Sequence, residues 1–156
     1  MDRLDHDLMV ELQKDGRQSY THLADLLNVS EATVRNRVNR LLSHGIIKIK
    51  AAPNLQALGY KFIGVVGVEI RLSDLAQVAE RLTKHPNVCY LISVTGRSDF
   101  IAIVVTRSPD EFADFVRNEL SQIPGIVRTE TSVSLSTYKG IWGNLDIEQL
   151  IADLPF

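Results

Sequence analysis

The chain has 156 residues, of which 45% are hydrophobic and 23% charged, and its formal net charge is −2. This composition is typical of a globular protein and excludes disordered and fibrous chains. The length suits one large domain or two small ones. No apolar run approaches the roughly 18 residues that a membrane span requires, and the acidic start MDRLDHDLMV lacks the layout of a signal peptide.

Charge is distributed unevenly along the chain. Residues 1–50 hold eight Lys or Arg against seven Asp or Glu, whereas residues 51–156 hold nine against twelve. Residues 30–50 alone carry five basic side chains and one acidic one, Glu31. A local basic patch on a mildly acidic body favours a nucleic-acid site confined to one surface. The single cysteine, Cys89, cannot form an intrachain disulfide, which is typical of a cytoplasmic protein.

Residues 1–45 are predicted to form three helices, and the last two have the spacing of a helix-turn-helix. The first helix is predicted from Asp5 to Asp15 and the second over residues 19–27. The inward-facing leucines of the second helix are predicted to be Leu23, Leu26 and Leu27. A three-residue turn at 28–30 leads into a third, basic helix. Two helices joined by so short a turn, the second of them basic, are typical of DNA-binding proteins.

The third helix is predicted over SEATVRNRVNRLLSHG, from the capping Ser30 to the terminating Gly45. Its apolar residues recur at helical spacing, and its other face carries guanidinium and amide groups suited to phosphates and base edges. The alternative is an ordinary amphipathic helix with a solvated basic face. The candidate contacts to double-stranded DNA are Ser30, Thr33, Arg35, Asn36, Arg37 and Arg40.

After Gly45 the alternating segment IIKIKAA is predicted to form a strand and a linker that leave the first domain. Lys48 and Lys50 share one face of this segment and can reach phosphate, although solvated strand lysines are commoner. The predicted organisation is a domain over residues 1–52, a second domain over 58–139 and a C-terminal tail over 140–156. The tail contains Trp142 and the helix-like segment DIEQLIADL, but the sequence does not place it in either domain.

The second domain is predicted to follow the order β-α-β-β-α-β, the ferredoxin-like plan with two helices on one face of an antiparallel sheet. The first predicted strand covers residues 60–72, with Leu72 as its last inward-facing residue, and a helix follows from Ser73 to about Lys84. Two strands at 88–95 and 99–106 are then joined by a turn at 96–98. The second helix starts in the capping box at 108–111, and the last strand is predicted at 126–139.

Strand 99–106 is apolar on both of its faces, whereas two helices cover only one face of the sheet. An exposed apolar sheet face is most simply buried by a second subunit. The sequence therefore predicts a homodimer that packs through the face opposite the helices. The candidate interface residues are Ile101, Ile103 and Val105. Alternation alone leaves this set interchangeable with the set on the other face, Phe100, Ala102 and Val104.

The inventory of reactive side chains indicates no enzyme. The four histidines are dispersed, without metal-ligand spacing to one another or to Cys89. The sequence also has no phosphate-binding loop, no dinucleotide fingerprint and no recognisable nucleophile with its base. We therefore expect no catalytic residues, no metal site and no cofactor.

The combined pattern resembles the leucine-responsive regulatory protein/AsnC (Lrp/AsnC) family of transcriptional regulators over residues 1–139. Its carriers are LDHDLMVELQKDGRQSYTHLADLLNVSEATVRNRVNRLLSHGII, LGY at 58–60, VTGRSD at 94–99 and PGIVRTET at 124–131. The resemblance implies a winged helix-turn-helix domain joined to a ferredoxin-like effector and assembly domain. It also implies a cytoplasmic, nucleoid-associated protein whose dimers assemble into tetramers or octamers and bind a small amino acid at the junction between dimers.

The family's effector motif maps onto a hairpin and a facing strand of this chain. The implied effector-binding residues are Gly96, Asp99, Thr129, Glu130 and Thr131. Gly96 and Asp99 also suit a simple turn, as a glycine with positive φ and a turn-stabilising side chain. Arg97 occupies a variable position of the motif.

Two other functions are compatible with parts of this pattern. Siroheme decarboxylases resemble it in architecture, with a degenerate helix-turn-helix fused to a similar second domain. The intact basic helix and the lack of an obvious His/Arg cluster in 84–100 argue against that enzyme. A regulator that needs no small ligand and acts as an architectural DNA-binding protein is the third hypothesis.

Overall fold

A computed structural model describes residues 1–138 and divides the chain into two compact units, Met1–Ala51 and a second unit that begins at Ala52. The predicted tail at 140–156 lies outside the described residues, and the predicted domain limits stay a prediction. No helix within residues 1–138 is long and apolar enough to span a membrane.

The first unit consists of three helices, each started by a polar side chain that accepts a backbone hydrogen bond. Asp2, Ser19 and Ser30 are these caps. Asn28 ends the second helix in the left-handed conformation, with φ of 53°, which turns the chain towards the third helix. The helices are α1 (Arg3–Lys14), α2 (Tyr20–Leu27) and α3 (Glu31–Ser43).

The three helices enclose one apolar core. Its buried members are Leu8, Leu12, Leu23, Ala24, Val34 and Val38. The predicted inward position of Leu26 is wrong, because this side chain is 51% exposed. At 100° per residue, Leu23, Ala24 and Leu27 occupy one narrow arc of α2, and Leu26 falls outside it.

The strand predicted after Gly45 is also wrong: residues 46–52 form no strand in the structure. Alternation alone cannot make a strand, because an isolated strand leaves its backbone groups without a ladder partner. This segment is instead tied to the end of α3, where the Ile46 and Ile47 N–H groups donate to the Leu41 carbonyl at 2.9 and 3.3 Å. Ile47 packs against the helical core.

The described elements of the second unit are β1 (Phe62–Ile70), a 3₁₀ turn (Leu72–Asp74), α4 (Leu75–Thr83), β2 (Val88–Ser93), β3 (Phe100–Thr106), α5 (Pro109–Asp114) and β4 (Ile126–Val133). Within residues 52–138 the strands form one antiparallel four-stranded sheet in the order β2-β3-β1-β4, with the helices on one face, as the ferredoxin-like prediction requires. Helix α5 continues into a π-helical turn at Phe115–Glu119 and a 3₁₀ turn at Leu120–Gln122.

The core between the sheet and the helices matches the predicted apolar periodicity, except at the end of the first strand and the end of the last strand. Leu72 is 82% exposed, because β1 ends at Ile70 and the chain turns into the 3₁₀ helix there. The last strand ends at Val133 rather than at 139. The buried core residues include Val66, Val68, Val78, Leu82, Phe100, Ala102, Val104, Phe112, Phe115 and Leu120.

The opposite face of the sheet is partly covered by the chain itself. Leu55 and Tyr60 pack with Cys89 and Val105 in a separate buried cluster. Val105 is 0% exposed, so its predicted place in a subunit interface is wrong. The apolar sequence of β3 could not distinguish burial by a partner from burial by a segment of the same chain. Ile101 and Ile103 remain half-buried on this face.

Candidate nucleic-acid interface and effector region

The exposed face of α3 is centred on small and amide side chains rather than on arginines. At 100° per residue the buried stripe of Val34, Val38 and Leu41 defines one side of the helix. The side directly opposite carries exposed residues only: Ala32, Asn36, Asn39 and Ser43. The predicted arginines lie on the two flanks of this surface, Arg35 on one and Arg37 and Arg40 on the other.

The flank with Arg37 and Arg40 is held by two carboxylates from the start of α1. The Arg37 Nη1 lies 2.6 Å from Asp2 Oδ2 and 3.3 Å from Asp5 Oδ1, and Arg40 Nη2 lies 2.5 Å from Asp5 Oδ2. Asp5 is completely buried, whereas the side chains of Arg37 and Arg40 are 30% and 46% exposed. One buried carboxylate thus links α1 to two arginines of α3.

The two carboxylates also cap α1 reciprocally. The Asp2 N–H donates to Asp5 Oδ2 and the Asp5 N–H donates to Asp2 Oδ1, each at 3.0 Å. The Asp5 backbone N–H and the Arg37 guanidinium together hold the pKa of Asp2 below its ordinary value. The hydrogen bond that Arg37 donates to the Asp2 carboxylate, in turn, raises the pKa of Arg37.

The other flank is a more exposed pair. Arg35 Nη2 lies 2.6 Å from Glu31 Oε1, and its guanidinium carbon lies 5.3 Å from the centre of the Tyr20 ring. Hydrogen bonds from Arg35 and then from the Thr21 hydroxyl lower the pKa of Glu31. All three arginines that the sequence singled out are therefore paired with carboxylates within this unit.

The six predicted DNA-contact residues lie on α3 or at its N-cap, but they differ in exposure and in hydrogen-bond partners. Ser30 Oγ accepts from the Thr33 N–H at 3.1 Å and lies 2.8 Å from the Thr33 hydroxyl, so both side chains take part in the cap. Asn36 is exposed at the centre of the outer face. Sequence reasoning missed Asp2 and Asp5 as partners of this helix. The Asp-x-x-Asp spacing is a capping signal, but it does not reveal which distant cations the carboxylates also bind.

The hairpin between β2 and β3 places Gly96 and Asp99 in turn roles. Gly96 has φ of 122° and is exposed. Asp99 Oδ2 accepts from the Ile70 N–H at 2.7 Å, and the Asp99 N–H donates to the Val68 carbonyl at 2.9 Å. Asp99 thus fastens the hairpin to the end of β1.

Beside this hairpin a shallow hollow lies on the sheet face opposite the helices. Arg97 spans it, with Nη1 3.2 Å from Glu130 Oε2, and a Cβ added to Gly67 would lie only 2.5 Å from Ser98 Oγ. The register of β4 with β1 places Thr129 and Thr131 on the helix side, away from Glu130. The structure therefore does not bring the five predicted effector residues onto one surface: Glu130 lines the hollow, whereas Thr129 and Thr131 lie on the other face of the sheet. The hollow is lined by Gly67, Glu69, Arg97, Ser98, Arg128 and Glu130.

Two family models match the chain, one in each unit. The AsnC-type helix-turn-helix domain matches residues 1–42, and the Lrp/AsnC ligand binding domain matches residues 64–140. An HTH-type transcriptional regulator of Pyrococcus horikoshii is 38% identical over 92% of this chain and 90% of its own length.

Solved structures agree with this match in fold. The structure of E. coli AsnC superposes with a TM-score of 0.85 at 25% identity and covers 91% of this chain and 98% of its own. A transcriptional regulator from Neisseria meningitidis, solved as a complex with L-Met, has a TM-score of 0.86 at 22% identity, covering 96% and 99%. The relatives named as regulators are consistent with the prediction that the chain is not an enzyme. From the family models and the 38% identity, the chain belongs to the Lrp/AsnC family of helix-turn-helix transcriptional regulators.

Proposed function

We propose that α3 enters the DNA major groove with Asn36 at the centre of the base-reading surface and the arginines on either side of it. The observation that carries this proposal is the position of Asn36, exposed and directly opposite the buried stripe of α3. An amide side chain can pair bidentately with adenine, and flanking guanidinium groups suit the phosphates on both sides of the groove. Ser30 and Thr33 lie at the positive end of the helix, where a phosphate is favourably bound.

Arg35 and Asn36 allow the cleanest test of this DNA interface, because neither supports a buried charge. Asn36→Ala is expected to lose about 1–3 kcal/mol on the cognate operator and little on unrelated DNA. Arg35→Ala is expected to weaken binding to all sequences and to flatten the slope of log affinity against log salt by about one unit. Fluorescence anisotropy titrations over a salt series measure both quantities.

Gln13→Ala is the control, since Gln13 is an exposed residue of α1, outside the helix assigned to DNA. It is expected to bind like the wild type. Unchanged operator affinity and salt slope in both α3 variants would contradict the assignment of this helix to DNA.

We also propose that a small amino acid binds in the effector region and regulates assembly. The L-Met complex of the structurally similar Neisseria regulator supports an amino-acid ligand, and the chain carries the Lrp/AsnC ligand binding domain. The candidate contacts remain Gly96, Asp99, Thr129, Glu130 and Thr131. The half-buried Ile101 and Ile103 are the candidate dimer contacts, and dimers are proposed to associate further around the hairpin into tetramers or octamers.

Asp99→Asn tests the carboxylate at this site. The asparagine oxygen can still accept from the Ile70 N–H, so the hairpin is retained while the charge that would bind a ligand ammonium group is lost. Isothermal titration calorimetry with the amino acid that stabilises the wild type most in a thermal-shift screen is expected to show affinity at least tenfold weaker.

Asp110→Asn, at an exposed acid on α5, removes the same charge elsewhere and is expected to bind normally. Equal ligand affinity in Asp99→Asn and the wild type would remove Asp99 from the site. A wild type that binds none of the twenty amino acids would favour the ligand-independent regulator.

A further inference from the structure

The charges on the outer surface of the first unit nearly cancel. Arg37 and Arg40 are paired with Asp2 and Asp5 at 2.5 to 3.3 Å, so this flank of α3 carries no net charge. The pair of Arg35 with Glu31 has the same effect on the other flank. Simple attraction between a basic helix and DNA therefore does not account for why acidic side chains lie beside the arginines.

The buried Asp5 carboxylate does more than balance charge, because its contacts also fix the orientation of the Arg37 and Arg40 guanidinium groups. Arg37 contacts Asp2 and Asp5 through Nη1, and Arg40 contacts Asp5 through Nη2. A guanidinium has five N–H donors in a rigid plane, so a bond through one nitrogen orients the remaining donors. Both side chains are partly exposed, so part of each remains accessible from the surface.

Fixing a long side chain before binding removes part of the entropy cost that a flexible arginine meets on contacting a phosphate. Asp5 is itself held in place by the Asp2 N–H and by its position at the start of α1. It is 0% exposed, so it does not lie where it would repel a phosphate at contact distance.

We propose that Asp5 is a positioning residue for DNA recognition, which orients Arg37 and Arg40 towards the DNA backbone from beneath the recognition helix. This inference rests on the proposed role of α3 in DNA binding. It predicts a change in operator affinity opposite in sign to the change that net charge alone would produce. Removing a negative charge beside a DNA-binding surface strengthens binding if only net charge matters, whereas removing the Asp5 carboxylate weakens it if orientation matters.

Asp5→Asn and Asp7→Asn make the matched pair for this test. Both substitutions remove one negative charge from α1, but Asp7 contacts Arg3 and His6 instead of the α3 arginines. Operator affinity is expected to fall about tenfold or more in Asp5→Asn and to stay equal or rise in Asp7→Asn. Asp5→Asn with wild-type or tighter operator affinity overturns the proposal.

Combining Asp5→Asn with a substitution of Arg40 distinguishes a positioning role of Asp5 from a general loss of structure. Arg40→Gln leaves Asp5 paired with Arg37, so the buried carboxylate keeps a partner. The loss caused by Asp5→Asn is expected to be smaller in the Arg40→Gln background than in the wild type. An equal loss in both backgrounds shows that Asp5 does not act through this arginine, and overturns the proposal.

Circular dichroism melting checks that the Asp5→Asn protein folds. If it does not fold, Asp5→Glu carries the test, because it keeps the negative charge but displaces the carboxylate from its contacts with Arg37 and Arg40. Operator binding weaker than in the wild type supports the proposal, and wild-type binding by the folded Asp5→Glu protein overturns it. The role of α3 itself is judged separately by Asn36→Ala and Arg35→Ala, so failure of one proposal is distinguishable from failure of the other.

Discussion

Val105→Asp is expected to prevent the second unit from folding. Val105 is 0% exposed and packs with Leu55, Tyr60 and Cys89 on the sheet face opposite the helices. A carboxylate there either remains charged and unpaired or takes up a proton at the expense of stability, and the cost is several kcal/mol. That is a large fraction of the roughly 5–15 kcal/mol that stabilises an ordinary domain. Circular dichroism and urea unfolding of the full chain measure the loss.

Ile101→Asp is the matched control, because Ile101 lies on the same strand and face but is only half-buried. It is expected to keep the fold of the subunit and to lose dimerisation, which sedimentation velocity at micromolar concentration detects. A Val105→Asp protein with wild-type stability would contradict the covering of this face by the segment around Leu55. An Ile101→Asp protein that stays dimeric would exclude this part of the face from the proposed interface.

Gly64→Ala is expected to destabilise the second unit by about 1–3 kcal/mol, through overpacking rather than backbone strain. A Cβ at this position would lie 2.1 and 2.3 Å from two atoms of the Phe112 ring. Phe112 is 6% exposed, and its ring centre lies 5.2 Å from that of Phe62 and 6.4 Å from that of Phe115, which leaves the ring little room to move. The midpoint of urea unfolding is therefore expected to fall.

Gly67→Ala, on the same strand, is the control for this prediction. Its Cβ would meet the Ser98 hydroxyl at 2.5 Å, and that small, partly exposed side chain can rotate away. The expected loss of stability is smaller than at Gly64. Equal unfolding midpoints for the two variants would show that the contact with the Phe112 ring is not what limits position 64.

The helices and strands of this chain could largely be predicted from local sequence. The 3.6-residue period located α1, α2 and α3, and the capping Ser30 marked the start of α3, since these signals act within one or two turns. The capping serine and Pro109 likewise located α5. Alternating apolar residues predicted all four strands and their order in the chain. They did not decide which face of β3 packs on the helices, because both faces of this strand are apolar. The family resemblance, carried by residues spread over both units, then indicated a regulator.

The limits of local reasoning show at residues whose partners are distant in sequence. Alternation suggested a strand at 46–52, but a strand exists only where another strand pairs with it. The apolar β3 suggested a partner subunit, whereas Leu55 and Tyr60 of the same chain bury part of that face. The sequence placed three arginines on one helix. Only the tertiary structure brought Asp2 and Asp5 to two of them, because an ion pair across 32 to 35 residues depends on how α1 packs against α3.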